Sequence, residues 1–298
     1  MGNLFNRKEE RCFLFGILAE VTTARKNNMS GVIISIINNK GGTGKTTTTC
    51  NLAHILGKND KNVLVIDNDS QCNSSKILLD GIDYTNTMYN LIKDAIQVSD
   101  CIHFTKYSNV SCLPNDEMVS ALEIFLAKAF PNSLYLYREK IREYAKDNYD
   151  IILVDNPPTL GLIVAMSLYM SDFVIVPNDA GSKFSLEGLI KAISFINDIR
   201  EKANPDLKLL RLLITKVDRR TIASTAILQQ IKKTFGEDEV FETTIPINTA
   251  FQQAELSDKT LCRFRPNATG AKAYKELSRE LLIILDKVWP QKITLQAL

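Results

Sequence analysis

A short loop with two lysines is the most chemically informative stretch of the sequence. Residues 36–50 read IINNKGGTGKTTTTC, and the GKT at 44–46 matches the end of the phosphate-binding pattern G-x-x-x-x-G-K-[ST]. In such a loop the backbone N–H groups wrap the phosphates, the lysine adds a positive charge, and the hydroxyl group is placed to ligate Mg²⁺. Asn39 replaces the first glycine of the pattern, and a second lysine, Lys40, follows it. The loop therefore predicts a nucleotide site with one cation more than the common pattern requires.

Three aspartates follow two other apolar runs at the points where those runs end. VLVIDNDSQCN carries Asp67 and Asp69, and YDIILVDNPP carries Asp155 in the position of a Walker-B acid, which holds Mg²⁺ through water. Residues two apart in an extended chain point the same way, so Asp67 and Asp69 can both face one pocket. An isolated aspartate at a strand end often only caps the next helix. Two acid-ended strands beside a GKT loop instead favour a magnesium-phosphate site.

The elements that must position these residues alternate between strand and helix. Continuous apolar, β-branched runs predict strands buried on both faces at 31–38, 62–67, 149–155, 172–177 and 209–215, with weaker strands at 109–114 and 240–246. Helical patterns lie at 45–58, 118–130, 134–147, 184–202, 221–235 and 268–288. The alternation predicts an α/β fold, a doubly wound and mainly parallel sheet with helices on both faces. Such sheets bind ligands beyond the carboxyl ends of their strands, where the loop and the aspartates fall.

The first part of the chain is predicted to be an appendage to this fold. Residues 1–29 fit an amphipathic N-terminal helix, with Phe13, Ile17 and Val21 on one stripe, and residues 30–298 form the nucleotide-binding domain. The apolar run CFLFGILA at 12–19 follows acids as well as bases and lacks a small-x-small cleavage site, so we do not expect a secretory signal.

Composition excludes several other classes of protein. The 298 residues are 45% hydrophobic and 23% charged, as in ordinary globular proteins. A net charge of +2 means that any affinity for nucleic acid must come from a local patch of cations. The six cysteines form no C-x-x-C pair, which favours a reducing cytoplasm over zinc or disulfide chemistry. No apolar run approaches the ~20 residues that a membrane span needs.

Together these segments resemble the ParA/MinD family of deviant Walker-A ATPases. The resemblance runs in order from about residue 31 to 285 and rests on KGGTGKTT, VIDNDSQCN, IILVDNPPTLG, FSLEGL, VDRRT, TIPIN and FRPNATGAKAYKEL. The later blocks are similar to those of the ParA branch. The family's doubly wound sheet agrees with the pattern of strands and helices.

The resemblance implies a site for ATP and Mg²⁺. The family's nucleotide-binding positions carry over to Lys40, Gly41, Gly42, Thr43, Gly44, Lys45, Thr46, Thr47 and Pro246. Thr46, Asp67 and Asp155 match the residues of its magnesium network. No motif here reads the base clearly, so adenine specificity is implied by the family alone.

The resemblance also implies a catalytic set of Lys40, Lys45 and Asp69. Asp69 matches the acid that orients or activates the attacking water. Lys40 matches the signature lysine that reaches across an ATP-sandwich homodimer to the phosphates held by the partner. A cation supplied in this way stabilises charge in the transition state, as arginine fingers do with effects of ~10³–10⁵-fold. Ser70 replaces the family's usual proline, which predicts a change in loop rigidity and hydrolysis rate.

Membership of the ParA branch implies non-specific DNA binding and a partner protein. Arg220 matches the DNA-contacting arginine of that branch, but a second such arginine is replaced by Ala250. Other cations must therefore contribute, and our candidates are Arg219, Lys272 and Lys275, with Lys216, Lys259, Arg263, Arg265 and Arg279 as further possibilities. Hydrolysis is expected to be slow alone and to be stimulated by a small centromere-binding protein, ParB-like or ribbon-helix-helix. The expected location is the bacterial cytoplasm, on the nucleoid.

Three alternatives remain open at this stage. A MinD-like positioning ATPase binds membranes through a short basic amphipathic C-terminal helix. Pro290 interrupts the last helix here and only one lysine follows, so we expect no stable membrane association. An electron-transfer reductase like the nitrogenase iron protein needs cysteines in contexts that Cys101 and Cys112 lack. Metabolic P-loop enzymes leave VDRRT and FRPNATGAKAYKEL unexplained.

Overall fold

Buried β-branched runs form the strands of one sheet. The structure is a computed structural model that describes residues 30–94, 96–181, 185–218 and 220–289. Its strands are β1 (Val32–Ile36), β2 (Val63–Asp67), β3 (His103–Phe104), β4 (Val110–Leu113), β5 (Ile151–Asp155), β6 (Phe173–Asp179) and β7 (Lys208–Thr215). In the described part of the chain they form a seven-stranded sheet in the order β3-β4-β2-β5-β1-β6-β7. All pairs are parallel except β3 with β4, in agreement with the predicted mainly parallel sheet.

Helices cover both faces of this sheet. They are α1 (Lys45–Lys58), α2 (Asn73–Leu79), α3 (Met88–Lys93), α4 (Val119–Lys128), α5 (Glu143–Asn148), α6 (Leu162–Met170), α7 (Ser185–Lys202), α8 (Ile222–Phe235), α9 (Ala250–Glu255), α10 (Leu261–Phe264) and α11 (Thr269–Val288). Successive residues of a strand serve opposite faces. Ile34 packs in a cluster with α1 and α11, whereas Ile33 packs in a second cluster with α3, α4 and α6. The predicted doubly wound α/β fold is therefore confirmed.

The weak strand predicted at 240–246 forms only isolated bridges to the β7 segment. Val240 pairs with Leu212 and Pro246 pairs with Val217. Between these bridges the amides of Glu242 and Thr243 donate to the carboxylate of Glu280 on α11, at 2.7 and 2.9 Å. Glu280 thus binds the middle of this segment, while the amides of Phe241 and Ile245 donate to carbonyl oxygens of β7 at 2.9 Å each. The chain still follows the edge of the sheet and turns into α9.

The boundaries of the long helices agree with the sequence. The long helices α1, α7, α8 and α11 match their predicted ranges to within one residue. The helix predicted at 134–147 is confirmed as unbroken helical backbone over 132–148, which comprises a 3₁₀ turn at Asn132–Tyr135, a π-helical segment at Arg138–Arg142 and α5. The short helices α2, α3, α6, α9 and α10 were not predicted, because two turns or fewer, or a wholly apolar segment, carry little amphipathic signal.

Two predictions concern parts of the chain that the structure does not describe. The N-terminal helix of residues 1–29 and the residues from Pro290 onward both lie outside the described residues. Among the helices that are described, none combines the length and the apolar character that crossing a bilayer requires.

Candidate functional site

The loop between β1 and α1 has the backbone shape of a phosphate cradle. Gly42 and Gly44 have φ angles of 71° and 89°, which residues with a side chain rarely adopt. Gly44 is also the N-cap of α1, so the amino end of that helix opens directly onto the loop. Thr43 is fully buried, and its carbonyl oxygen accepts a hydrogen bond from Thr215 Oγ1 at 2.9 Å. The end of β7 thereby holds the loop in place, and the free N–H groups at the helix start favour an anion.

Lys45 lies inside this loop and keeps only 7% of its surface exposed. Its Nζ donates to the carbonyl oxygen of Lys40 at 3.4 Å. Burial lowers the pKa of Lys45, while the carboxylates of Asp155 and Asp69 oppose that shift. Burial deprives this ammonium group of water, and it makes only one long hydrogen bond. A bound phosphate would stabilise it strongly, because the phosphate supplies negative charge and hydrogen-bond acceptors.

Asp67 and Asp155 meet at the carboxyl ends of two neighbouring strands. They are register partners on β2 and β5, and both are almost fully buried. Burial raises the pKa of each carboxyl group, and the charge of Asp155 raises the pKa of Asp67 further. Two acids in this setting favour a bound cation, since a cation offsets both desolvation and mutual repulsion.

Residues of α2 hold these two acids, and no sequence motif points to them. Ser75 donates to Asp67 Oδ2 through its amide at 2.8 Å and through its hydroxyl at 2.7 Å. Ser74 donates to Asp155 Oδ2, and Thr49 of α1 donates to Asp155 Oδ1 at 3.4 Å. Thr46 also lies close enough to Asp155 to lower its pKa by hydrogen bonding. The predicted magnesium residues Thr46, Asp67 and Asp155 are therefore brought together.

Asp69 lies beside the same loop, two residues beyond Asp67. Its amide donates to Asp67 Oδ1 at 3.1 Å, and its own Oδ1 accepts from the amide of Gln71 at 3.0 Å. The side chain lines the cleft above the phosphate loop together with Lys45. The turn at Ser70, where the family pattern has proline, is held by this Asp69–Gln71 hydrogen bond, so its geometry does not depend on a proline ring.

Lys40 is half-buried near the start of the loop. Its amide donates to Asn38 Oδ1 at 2.9 Å. Helix α7 begins against this segment, and a methyl group built on Gly188 would lie 3.0 Å from Asn39 Oδ1. Gly188 of the FSLEGL block thus packs closely against the Lys40 segment. Within one chain, Lys40 lies beside the Lys45 site.

A cleft of about 580 Å³ opens above the phosphate loop. Predicted members of its lining are Gly41, Gly42, Gly44, Lys45, Thr46, Thr47, Asp69 and Pro246. Sequence reasoning missed several others, namely Lys216, Asn248, Phe251, Gln252, Glu255 and Tyr274. These residues follow β7 or lie on α9 and α11, far along the chain from the loop. Asn248 and Tyr274 fall within the TIPIN and FRPNATGAKAYKEL blocks, but no site role was assigned to them from the sequence. The volume suits a ligand of nucleotide size.

Of the predicted DNA-contacting residues, Arg220, Lys272 and Lys275 do not line the cleft. Arg220 is 85% exposed, and its Nε and Nη2 donate to the two carboxylate oxygens of Asp218 at 2.9 and 2.8 Å. This pairing lowers the pKa of Asp218 to about 2. On α11, Lys272 is exposed, and Lys275 is half-buried with its Nζ 3.3 Å from the carbonyl oxygen of Pro266. Arg219 lies outside the described residues.

Known proteins are similar to this chain in both sequence and fold. A family profile described as an AAA domain matches residues 31–209. The chromosome-partitioning ATPase Soj of Thermus thermophilus is 33% identical over 84% of this chain and 94% of its own length. Among solved structures, the cell division ATPase MinD of Pyrococcus furiosus superposes with a TM-score of 0.70 at 27% identity, over 85% of this chain and 99% of its own. A putative plasmid partition protein of Borrelia burgdorferi bound to AMPPNP superposes with a TM-score of 0.67 at 26% identity, over 87% and 99%. The chain belongs to the ParA/MinD family of ATPases.

Proposed function

We propose that this protein is a DNA-partition ATPase that binds Mg²⁺ and ATP in the cleft above the phosphate loop. The observation that carries the proposal is the convergence of Lys40, Lys45 and the three aspartates at one end of the sheet. Support also comes from the relatives, which include a chromosome-partitioning ATPase and a plasmid partition protein bound to an ATP analogue.

The donor set fits Mg²⁺. Mg²⁺ prefers oxygen ligands, keeps several waters and is usually held by one or two carboxylates together with substrate phosphates. Thr46 and Asp155 offer a hydroxyl and a carboxylate beside the phosphate loop, and Asp67 offers a second carboxylate behind them.

The chemistry proposed for the site is attack of water on the terminal phosphate. A magnesium ion held by Thr46 and Asp155 would offset the charge of the phosphates. Lys45 binds the β- and γ-phosphates, and the carboxylate of Asp69 orients the attacking water. Lys40 supplies a further cation to the nucleotide of a partner subunit, so that an ATP-bound homodimer is the form that hydrolyses. Hydrolysis by the single chain is accordingly proposed to be weak.

The partition role further requires DNA and a protein partner. We propose that the dimer binds DNA without sequence preference through Arg219, Arg220, Lys272 and Lys275, in the cytoplasm on the nucleoid. A small centromere-binding protein then stimulates hydrolysis and releases the DNA. Arg220 is hydrogen-bonded to Asp218 in this structure. To bind DNA, its guanidinium group must therefore leave that carboxylate and bind a DNA phosphate instead.

The experiment measures how much of the protein is retained on DNA of several unrelated sequences. It is done with ATP, with ADP and without nucleotide, at a series of salt concentrations. Retention that needs ATP, ignores sequence and weakens steeply with salt supports the proposal, because phosphate contacts release counterions. Arg220→Ala is expected to weaken retention, whereas Arg200→Ala, an exposed arginine near the end of α7, serves as the matched control. Retention that is indifferent to nucleotide contradicts the proposal. ATP-dependent sedimentation with anionic liposomes, without DNA retention, would instead assign a MinD-like role.

A further inference from the structure

Lys216 occupies a place that its sequence position does not suggest. It follows the last residue of β7, and its φ angle of 53° lies in the left-handed region. A residue with a side chain adopts that conformation rarely, and such residues concentrate where a function requires them. The preceding residue, Thr215, is the one whose hydroxyl group is bonded to the carbonyl oxygen of Thr43 in the phosphate loop. The strand end and the loop are therefore fixed relative to each other.

The turn at Lys216 directs its ammonium group over the phosphate loop. A methyl group built on Gly42 would lie 3.6 Å from Lys216 Nζ, and Lys216 also lines the nucleotide cleft. The absence of a side chain at Gly42 leaves the space between the ammonium group and the loop backbone open. Lys216 thus presents a third positive charge at the loop, beside Lys40 and Lys45, although it lies far from both in the sequence.

One carboxylate balances this charge incompletely. Asp179 Oδ2, at the end of β6, lies 3.8 Å from Lys216 Nζ, while Asp179 Oδ1 accepts the amide of Gly181 at 2.6 Å. The separation is too long for a hydrogen bond, and the lysine side chain is 49% exposed. The three donors of the ammonium group therefore have no close acceptor from Asp179. Asp179 therefore attracts the ammonium group of Lys216 but does not use its hydrogen-bond donors.

We propose that Lys216 is a further nucleotide-binding residue, which contacts the polyphosphate of a bound nucleoside di- or triphosphate from the β7 side of the loop. The inference rests on the proposed nucleotide site. The sequence made Lys216 a candidate for DNA contact, and this proposal assigns it to the nucleotide site instead. Because an ammonium group is a point charge with rotatable donors, its contribution depends on charge and reach.

The experiment measures the dissociation constants for ATP, ADP and AMP in the presence of Mg²⁺ at several salt concentrations. Lys216→Met keeps much of the length and removes the charge, and Lys216→Asn removes the charge with a residue that tolerates the left-handed region. Both are expected to weaken ATP and ADP binding about tenfold, as one lost charge-assisted contact predicts, and to change AMP binding least. Lys216→Arg is expected to retain most of the affinity. Lys208→Met, at the exposed start of the same strand, is the matched control and is expected to bind like the unaltered protein.

Asp179→Asn gives an independent second measurement. As a single change, Asp179→Asn removes the counter-ion of Lys216 and is expected to tighten ATP binding about two- to threefold. Combined with Lys216→Met, it is expected to have no effect on ATP binding. Unchanged affinities for ATP and ADP in both Lys216→Met and Lys216→Asn would overturn the inference. So would a loss of DNA retention with unchanged nucleotide affinity, since that result assigns Lys216 to DNA. Failure of the unaltered protein to bind ATP would overturn the proposed function itself, so the two failures are distinguishable.

Discussion

Asp67 and Asp155 are register partners on neighbouring parallel strands, so two buried carboxyl groups meet directly behind the phosphate loop. The hydroxyl groups of Ser74 and Ser75 on α2 hold one acid each. Acids placed in this way are costly without a cation, because burial and repulsion act together against their charged forms. Their arrangement therefore connects the sheet, α2 and the proposed magnesium ion in one structural unit.

Replacing Asp155 with asparagine is expected to impair the use of magnesium without unfolding the protein. The amide keeps the shape of the side chain and one acceptor but loses the negative charge. We expect Mg²⁺-dependent ATP hydrolysis to fall roughly 100-fold, a factor that corresponds to losing part of the several kcal/mol that a catalytic metal supplies. The measurement is a magnesium titration of hydrolysis. Asp198→Asn on the exposed face of α7 is the control, and equal losses in both variants would contradict the assignment.

The two lysines of the loop are expected to separate binding from hydrolysis. Lys45→Met removes the buried ammonium group at the phosphates and is expected to abolish detectable ATP binding. Lys40→Met is expected to leave ATP binding by the single chain within a few-fold and to reduce hydrolysis by about 10³-fold, as for other cations supplied in trans. Binding is measured by calorimetry and hydrolysis by phosphate release.

A mixing experiment provides the control for the role of Lys40. Adding a variant that lacks Asp69 but keeps Lys40 is expected to restore part of the activity of Lys40→Met, since each mixed dimer contains one complete site. Hydrolysis by Lys40→Met at the original rate, or the lack of any restoration, would contradict a contribution from the partner subunit.

His54 is expected to make stability depend on pH. It is buried on α1, its Nδ1 lies 2.8 Å from Thr260 Oγ1, and burial together with Lys58 and Arg263 lowers its pKa to about 4. The unfolded chain takes up this proton near the ordinary pKa of 6.5, so the contribution is fully present above pH 6.5 and is lost as pH falls toward 4. From about pH 7 to about pH 5 the loss in free energy of unfolding is about 2 kcal/mol.

Urea unfolding at several pH values measures this contribution. His54→Gln keeps a polar group that can reach Thr260 but cannot take up a proton in this range. The variant is expected to lose less stability between about pH 7 and about pH 5 than the unaltered protein. Equal losses in the two proteins would show that other groups carry the pH dependence.

Glu280 is expected to stabilise the edge of the sheet. Its carboxylate accepts the amides of Glu242 and Thr243, so Glu280→Ala leaves two backbone donors without their partner. Because the amide of Glu242 is exposed and water can replace part of the lost bonding, we expect a loss of about 0.5–1.5 kcal/mol in the free energy of unfolding. Glu276→Ala, one turn earlier on α11, removes only an exposed pair with Arg279 and is expected to change stability by less than about 0.5 kcal/mol. Similar effects of the two changes in chemical denaturation would contradict this role of Glu280.

The central elements of the fold were predictable because their patterns are local. The five strongest apolar runs form the parallel strands β1, β2, β5, β6 and β7, and the helix expected at 45–58 is α1 with the same bounds. The weaker strand expected at 240–246 forms only isolated bridges to the β7 segment. The carboxylate of Glu280 accepts hydrogen bonds from two of its amides, and no pattern within 240–246 predicts this contact with α11.

Local sequence was sufficient to identify the phosphate loop, the acids at the strand ends and the family. Each depends on residues that are neighbours along the chain, where the required glycines, lysines and aspartates follow a fixed spacing. The other groups that reach the site became apparent only in the folded chain. Ser74 and Ser75 bond the two acids, Tyr274 lines the cleft from α11, and Lys216 lies over Gly42. These contacts join residues distant in sequence, and their free energy depends on distance and burial, which exist only once the sheet and its helices have packed.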